Sequence, residues 1–194
     1  MRHSYLRTLL PRNAQGLALL LCIALCSKPS CAQTADSGTI TIDRLFSGDL
    51  AAEGFGPAWW LADSGLATLE PARDGRGRNL VRYDPASGKR SISVAAKDLI
   101  PAGSDKPLAI ADYQFSQDGK KVLIFTNTRR VWRYHTRGDY WVLNRESGSL
   151  TQLGKGFDPT HLQFAKFEPS AERVAYLYRK DIYVENLTDH KITR

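Results

Sequence analysis

The fold of this chain is decided by one stretch, DYQFSQDGKKVLIFT at residues 112–126. Short apolar runs flank Asp118-Gly119, and an Asp-Gly pair tolerates the positive backbone angles that tight hairpins need. The stretch therefore predicts a strand, a turn and a second strand. Further along, residues 140–144 predict a third strand, and residues 150–153 predict a fourth strand after a turn at residues 146–148.

The same plan recurs downstream of this stretch. Four strands are predicted there, at residues 163–167, 173–178, 181–185 and 191–193. The turn between the first two is Glu168-Pro-Ser-Ala-Glu172, a degraded version of the Asp-Gly hairpin. This segment is therefore interpreted as a second copy of the same unit.

A weaker copy precedes the stretch. Its four predicted strands lie at residues 58–61, 66–69, 79–83 and 90–94, with turns at residues 63–65 and 87–88. Four short strands every 40–60 residues are typical of β-propeller blades. The sequence thus predicts an all-β chain with a partial β-propeller of about three four-stranded blades over residues 51–194. The alternative is an antiparallel sandwich in which the units resemble one another by accident.

The number of repeats indicates whether the predicted propeller is complete. A propeller closes with about 4–8 blades, and the sequence stops at Arg194 within the last predicted strand. We therefore expect the chain to be a fragment of a longer protein, truncated in its last blade.

Residues 1–32 have the pattern of a secretory signal peptide. They contain four basic residues and no acidic one, an apolar run at residues 16–26, and Ser30-Cys31-Ala32 before the expected cleavage point. The apolar run is short for a membrane span, although an uncleaved N-terminal anchor is the alternative. The mature protein is therefore expected to be exported, periplasmic or secreted, without a stable membrane span, and residues 33–50 form a lead-in segment.

Removal of this segment changes the charge and the cysteine content. It leaves 23 basic residues against 20 acidic ones, a net charge of +3 in place of +7. All three cysteines (Cys22, Cys26 and Cys31) are removed with it. The mature chain then has no disulfide, no thiolate metal site and no cysteine nucleophile.

Residues 123–143, LIFTNTRRVWRYHTRGDYWVL, are the most distinctive part of the sequence. With residues 39–46 and 181–187, they resemble the propeller domain of dipeptidyl-peptidase IV-like enzymes of the prolyl oligopeptidase family, particularly the bacterial ones. The resemblance covers residues 39–194; it is strong from Asp112 onward and loose between residues 48 and 110.

The resemblance implies a function as well as a fold. In that family an eight-bladed propeller caps an α/β-hydrolase domain, and the enzymes release N-terminal dipeptides with proline or alanine second. The resemblance implies that Arg133, after Trp132, contacts peptide substrate, and that the full enzyme forms a homodimer. Its physical alternative is an arginine stacked on Trp132 or Tyr134 at a solvated blade edge.

No catalytic residue is predicted in this chain. It contains no G-x-S-x-G nucleophile elbow, and the family's triad lies in the hydrolase domain, so the chain alone is predicted to be inactive. His135, His161 and His190 are dispersed without metal-ligand spacing, and no metal or cofactor is predicted. The alternative function is an exported propeller-type binding or scaffold module without enzymatic activity.

One basic and aromatic segment supports two interpretations. Four arginines (Arg129, Arg130, Arg133 and Arg137) interleave with Trp132, Tyr134 and Tyr140. Such a stripe suits single-stranded nucleic acid, and it equally suits a hairpin with one aromatic and one solvated face. Because the mature charge is small and the chain is expected to be exported, no nucleic-acid partner is predicted.

Overall fold

The computed structural model describes residues 39–51 and 56–194, in two compact units that divide between residues 53 and 54. The predicted signal peptide at residues 1–32 lies outside the described residues. In the first unit, helix α1 (Ile42–Ser47) begins at Thr41, whose Oγ1 accepts a hydrogen bond from Arg44 N, and ends at Gly48. No helix in the described residues has the length and apolar character needed to cross a membrane.

The second unit begins with a four-stranded antiparallel sheet, blade 1. Its strands pair in chain order, and they are β1 (Trp59–Trp60), β2 (Leu66–Pro71), β3 (Arg78–Tyr83) and β4 (Arg90–Val94). A short 3₁₀ helix (Ala96–Leu99) follows, and Ala96 N donates to Asn79 Oδ1 at 2.8 Å. The predicted strands of the weakest repeat are thus present.

Blade 2 contains the stretch that suggested the fold. Its antiparallel strands are β5 (Asp112–Phe115), β6 (Lys121–Val131), β7 (Tyr134–Asn144) and β8 (Leu150–Gln152). Strands β6 and β7 have 11 residues each, far more than predicted. Their distal halves form a two-stranded arm that extends past β5 and β8.

Blade 3 completes the described chain. Its antiparallel strands are β9 (Leu162–Phe167), β10 (Arg173–Tyr178), β11 (Asp181–Asn186) and β12 (Ile192–Thr193). A single pairing of Gly138 with Leu162 joins β7 to β9. The observed strands confirm the all-β prediction and the three-blade arrangement.

Two hydrophobic cores lie on opposite faces of blade 2. Val122 and Ile124 of β6 pack into the first core with Leu80 of blade 1. Leu123, between them in sequence, packs into the second core with Val174 and Tyr176 of blade 3. Because side chains alternate across a strand, an uninterrupted apolar run fits only a strand buried on both faces. This stacking of three blades replaces the sandwich alternative.

The first hairpin of every blade is closed by the same local backbone. Gly119, Ser64 and Ala171 have φ angles of 69°, 62° and 55°. Each donates its N–H to the carbonyl oxygen three residues earlier, on Ser116, Leu61 and Glu168 respectively. The segment interpreted as a degraded Asp-Gly hairpin therefore keeps its turn geometry without glycine.

Candidate functional site

The arm of blade 2 carries the predicted site residue at its tip. Val131 pairs with Tyr134, so only Trp132 and Arg133 form the turn. The Trp132 φ is 61°, while Arg133 is not among the residues with positive φ. This is the pattern of a type II′ turn, whose first central position normally requires glycine.

The Trp132 side chain is 93% exposed. A bulky residue in the left-handed region is strained, and such strain collects at functional sites. Arg130 Nε donates to Trp132 O at 3.1 Å, which helps to hold this turn. The tip therefore presents a large aromatic ring and the neighbouring Arg133 to solvent.

Arg133 is exposed, and within the described part of the chain its side chain makes no hydrogen bond, ion pair or ring contact. The alternative of stacking on Trp132 or Tyr134 is therefore not the conformation in the structure. A guanidinium is permanently charged and offers five N–H donors. Its contact with substrate stays a prediction.

The base of the arm is held by close packing. At Gly138, an added Cβ would lie 2.5 Å from Phe125 Cε2 and 2.6 Å from Thr126 O. Phe125 stacks on Tyr140 with ring centroids 4.7 Å apart. Burial raises the pKa of Tyr140 to about 12, so its hydroxyl stays protonated at neutral pH.

Asp139 links the arm to the loop before blade 3. Its Oδ2 accepts from Asn127 Nδ2 at 2.7 Å, and its Oδ1 accepts from Thr160 N at 2.6 Å. Thr128 Oγ1 lies 2.9 Å from His135 Nδ1, closer to the tip. These side-chain contacts and the strand pairing give the arm a defined direction.

An aromatic cleft of about 510 Å³ lies beside the base of the arm. The first strand of every blade contributes to it, with Trp59, Phe115 and Phe164, and His135 and Tyr140 line it from the arm. Blades of a propeller surround a central channel, so the shared first-strand location marks the channel side. The volume lies in the range of small-ligand pockets.

Hydrogen bonds hold several polar side chains in place along the inner surface of the cleft. Trp59 Nε1 donates to Asp112 Oδ1 at 3.0 Å, which ties blade 1 to blade 2. Burial raises the pKa of Tyr113, whose hydroxyl donates to Pro57 O. Gln114 Oε1 is buried, and no hydrogen-bond partner for it lies among residues 39–51 and 56–194. In the described part of the chain, the cleft thus combines apolar walls with one acceptor that has no partner.

Two parts of this site were missed by the sequence interpretation. Trp132 gave no turn signal, because tryptophan is not a turn-forming residue type. The cleft draws residues from three blades that are about 50 positions apart in the sequence, such as Trp59, Phe115 and Phe164. Among residues 39–51 and 56–194, no group of three or more His, Cys, Asp or Glu side chains is placed to hold a metal ion.

Comparison with known proteins shows which proteins this chain is similar to. Residues 116–194 match the family model described as "Dipeptidyl peptidase IV (DPP IV) N-terminal region". The probable dipeptidyl-aminopeptidase B of Ajellomyces dermatitidis is 24% identical over 81% of this chain and 18% of its own length. That of Colletotrichum graminicola is 27% identical over 86% of this chain and 19% of its own length. The chain therefore spans about a fifth of these curated relatives.

A solved structure shows the same fold. Porphyromonas gingivalis dipeptidyl peptidase 4 superposes with a TM-score of 0.63 at 19% identity, covering 79% of this chain and 21% of that chain. The predicted partial propeller and the resemblance to the N-terminal region of dipeptidyl peptidase IV are confirmed. The bacterial origin suggested by the resemblance stays a prediction.

Proposed function

We propose that this chain, which is similar over residues 116–194 to the N-terminal region of dipeptidyl peptidase IV, is the propeller part of a serine exopeptidase. The enzyme would release N-terminal dipeptides with proline or alanine second. An α/β-hydrolase domain elsewhere in the protein would supply the nucleophile, and the propeller would restrict access and orient the peptide. Export to the periplasm or the medium, and a homodimeric enzyme, belong to the same proposal.

The observation that carries the proposal is the arm with Arg133 at its tip. The guanidinium has no partner in the described chain, so no competing ion pair must be broken before it donates to a peptide oxygen. Charge-assisted hydrogen bonds are among the stronger polar contacts. Arg133 is thus suited to hold a carbonyl or carboxylate oxygen near the peptide's amino terminus.

The aromatic cleft supports the same role. It lies on the channel side, beside the base of the arm, and its apolar lining suits the side chains of a passing extended peptide. A peptide held at the tip by Arg133 would pass the exposed Trp132 ring. In the full enzyme, such an approach would admit extended peptides and exclude folded proteins.

The test uses the native product. It is immunoprecipitated from its source cells with an antibody against blade 1 and assayed with Gly-Pro and Ala-Pro chromogenic substrates. We expect dipeptide release that a serine-directed phosphonate abolishes and that an acetylated substrate amino terminus prevents. Arg133→Gln should lower kcat/KM by about 10- to 100-fold, from a loss of about 1.4–2.7 kcal/mol.

The control is Arg76→Gln, which removes another exposed arginine, on the β2–β3 turn. It should leave kcat/KM unchanged. A native product without dipeptidase activity would contradict the enzyme and favour the binding or scaffold module. An active enzyme that tolerates Arg133→Gln would contradict the assignment of Arg133 alone.

A further inference from the structure

Two arginines face each other directly on the arm. Arg129 of β6 and Arg137 of β7 are cross-strand partners. Like charges in directly opposite positions destabilise a strand pair. Register irregularities lie on both sides of Arg129, and such bulges commonly re-aim side chains near active sites. The arm thus holds two like charges, Arg129 and Arg137, opposite each other at a position where the strand register is irregular.

No carboxylate in the described chain compensates this pair. Elsewhere in the described residues, five arginines form ion pairs with acidic side chains, and they are Arg82, Arg90, Arg173, Arg179 and Arg194. Neither Arg129 nor Arg137 forms one among the residues described. The sequence has no Asp or Glu between Asp118 and Asp139, and both Asp139 oxygens already accept hydrogen bonds. A carboxylate that compensates this pair would therefore come from outside these residues.

We propose that Arg129 and Arg137 form a carboxylate-binding subsite for an acidic side chain of the bound peptide. This inference rests on the proposed function, because it needs a peptide along the arm. Two guanidiniums can share one carboxylate through bidentate hydrogen bonds. The subsite would make the protein prefer peptides with Asp or Glu at a defined distance from their amino terminus.

The arm sets that distance. The Arg129–Arg137 pair lies two paired positions before the Val131–Tyr134 pair that closes the turn, so it is about three strand steps, or roughly 10 Å, from the turn that carries Arg133. An extended peptide advances at nearly the same rise. The acidic side chain is therefore expected about three residues beyond the residue that Arg133 holds.

The experiment is isothermal titration calorimetry of the purified full chain with matched ten-residue peptides. All have a free amino terminus, proline second and a C-terminal amide, and they carry Asp, Asn or Lys at position 5. A five-residue peptide with a free C-terminal carboxylate separates that source of carboxylate from a side chain. We expect the Asp peptide to bind about 10-fold more tightly than the Asn peptide, and the Lys peptide to bind most weakly.

The Arg129→Gln/Arg137→Gln double variant should bind the Asp and Asn peptides equally, with the affinity for the Asn peptide unchanged. Its matched control is Arg73→Gln/Arg76→Gln, which removes two exposed arginines from the β2–β3 turn and should keep the preference. Far-UV circular dichroism verifies that each variant is folded. Higher salt should reduce the preference, because exposed charges are screened.

Several results would overturn the inference. These are equal or undetectable binding of the Asp and Asn peptides to the unmodified chain, or tighter binding of the five-residue carboxylate peptide than of the Asp peptide. Displacement of the Asp peptide by a single-stranded oligonucleotide at lower concentration would instead favour nucleic acid. Arg133→Gln separates the two proposals: loss of affinity for both peptides with the Asp preference intact supports both, and unaltered affinity contradicts only the role of Arg133.

Discussion

A single backbone position closes the first hairpin of all three blades, and three residue types occupy it. Gly119, Ser64 and Ala171 all have positive φ. Glycine adopts this region without steric cost, whereas a residue with a Cβ is penalised there. The first hairpins of blades 1 and 3 therefore carry local strain that the first hairpin of blade 2 avoids.

This difference predicts opposite effects of two substitutions. Ser64→Gly should stabilise the protein by about 0.5–1 kcal/mol, because Ser64 is exposed and its hydroxyl makes no hydrogen bond in the described chain. Gly119→Ala should cost about 1 kcal/mol. Urea unfolding followed by circular dichroism measures both changes in the free energy of unfolding.

The control for this pair is Ser149→Gly. Ser149 is also exposed and lies outside the residues with positive φ. Glycine there adds only unfolded-state entropy, so a small loss of stability is expected. Stabilisation by Ser149→Gly, or destabilisation by Ser64→Gly, would contradict the explanation by backbone strain.

At the scale of single residues, the sequence predicted a turn only where the residue type favours the backbone conformation that the turn requires. Asp118-Gly119 predicted its turn because glycine supplies the left-handed conformation. Trp132 has the same positive φ, yet its chemistry gives no indication of a turn. Its conformation follows from β6 and β7, whose pairing continues to Val131 and Tyr134.

At the scale of the element, one carboxylate connects three strands of blade 1. Glu70 on β2 accepts from the Tyr83 hydroxyl on β3 and from the Arg90 guanidinium on β4, with Arg90 Nε at 2.9 Å. The hydrogen bonds from Arg90 and then Tyr83 lower the pKa of Glu70 below its ordinary value of 4.5. The folded blade therefore favours the ionised carboxylate.

This pKa shift predicts an acid-sensitive contribution to stability. Because the unfolded chain binds a proton more readily, the contribution is complete above about pH 4.5 and is lost as the pH falls through the lower folded pKa. Glu70→Gln should lower the free energy of unfolding at pH 7 by up to about 1 kcal/mol. Between pH 5 and about pH 3 it should weaken the decline in stability.

Melting temperatures measured across this pH range provide the check. Glu172→Gln is the control, since the exposed Glu172 side chain forms no ion pair in the described chain. It should reproduce the pH profile of the unmodified protein. A Glu70→Gln profile as steep as that of the unmodified protein would show that this three-strand contact does not govern the acid response.

The strand lengths show how much of each strand could be predicted from the sequence. The apolar run at residues 122–125 predicted β6 because burial on both faces leaves a clear pattern. Beyond Thr126 the arm is solvated and basic, so hydrophobicity no longer reports its pairing. A hairpin was one of two interpretations of that segment, and the observed pairing confirms it.

At the scale of the molecule, blade 2 contributes side chains to both hydrophobic cores. No single repeat of the sequence could indicate this arrangement. Val122 and Ile124 serve the first core and Leu123 the second. The cleft is equally collective, since its aromatic side chains come from three blades. The repeat therefore predicted the blades, while their mutual packing and the site arise from long-range contacts.

Because blade 2 contributes residues to both cores, a destabilising substitution in the core of blade 1 or of blade 3 is expected to destabilise blade 2 as well. Leu80 in blade 1 and Leu162 in blade 3 are 0% and 3% exposed, in the first and second core respectively. Each Leu→Ala substitution should cost about 2–5 kcal/mol by leaving a cavity. Both should accelerate amide hydrogen exchange in β6, because each removes support from one of its faces. Leu45→Ala in α1, where Leu45 is exposed, serves as the control and should leave β6 unchanged. Unaltered exchange in β6 in either core variant would show that its blade does not contribute to the stability of blade 2.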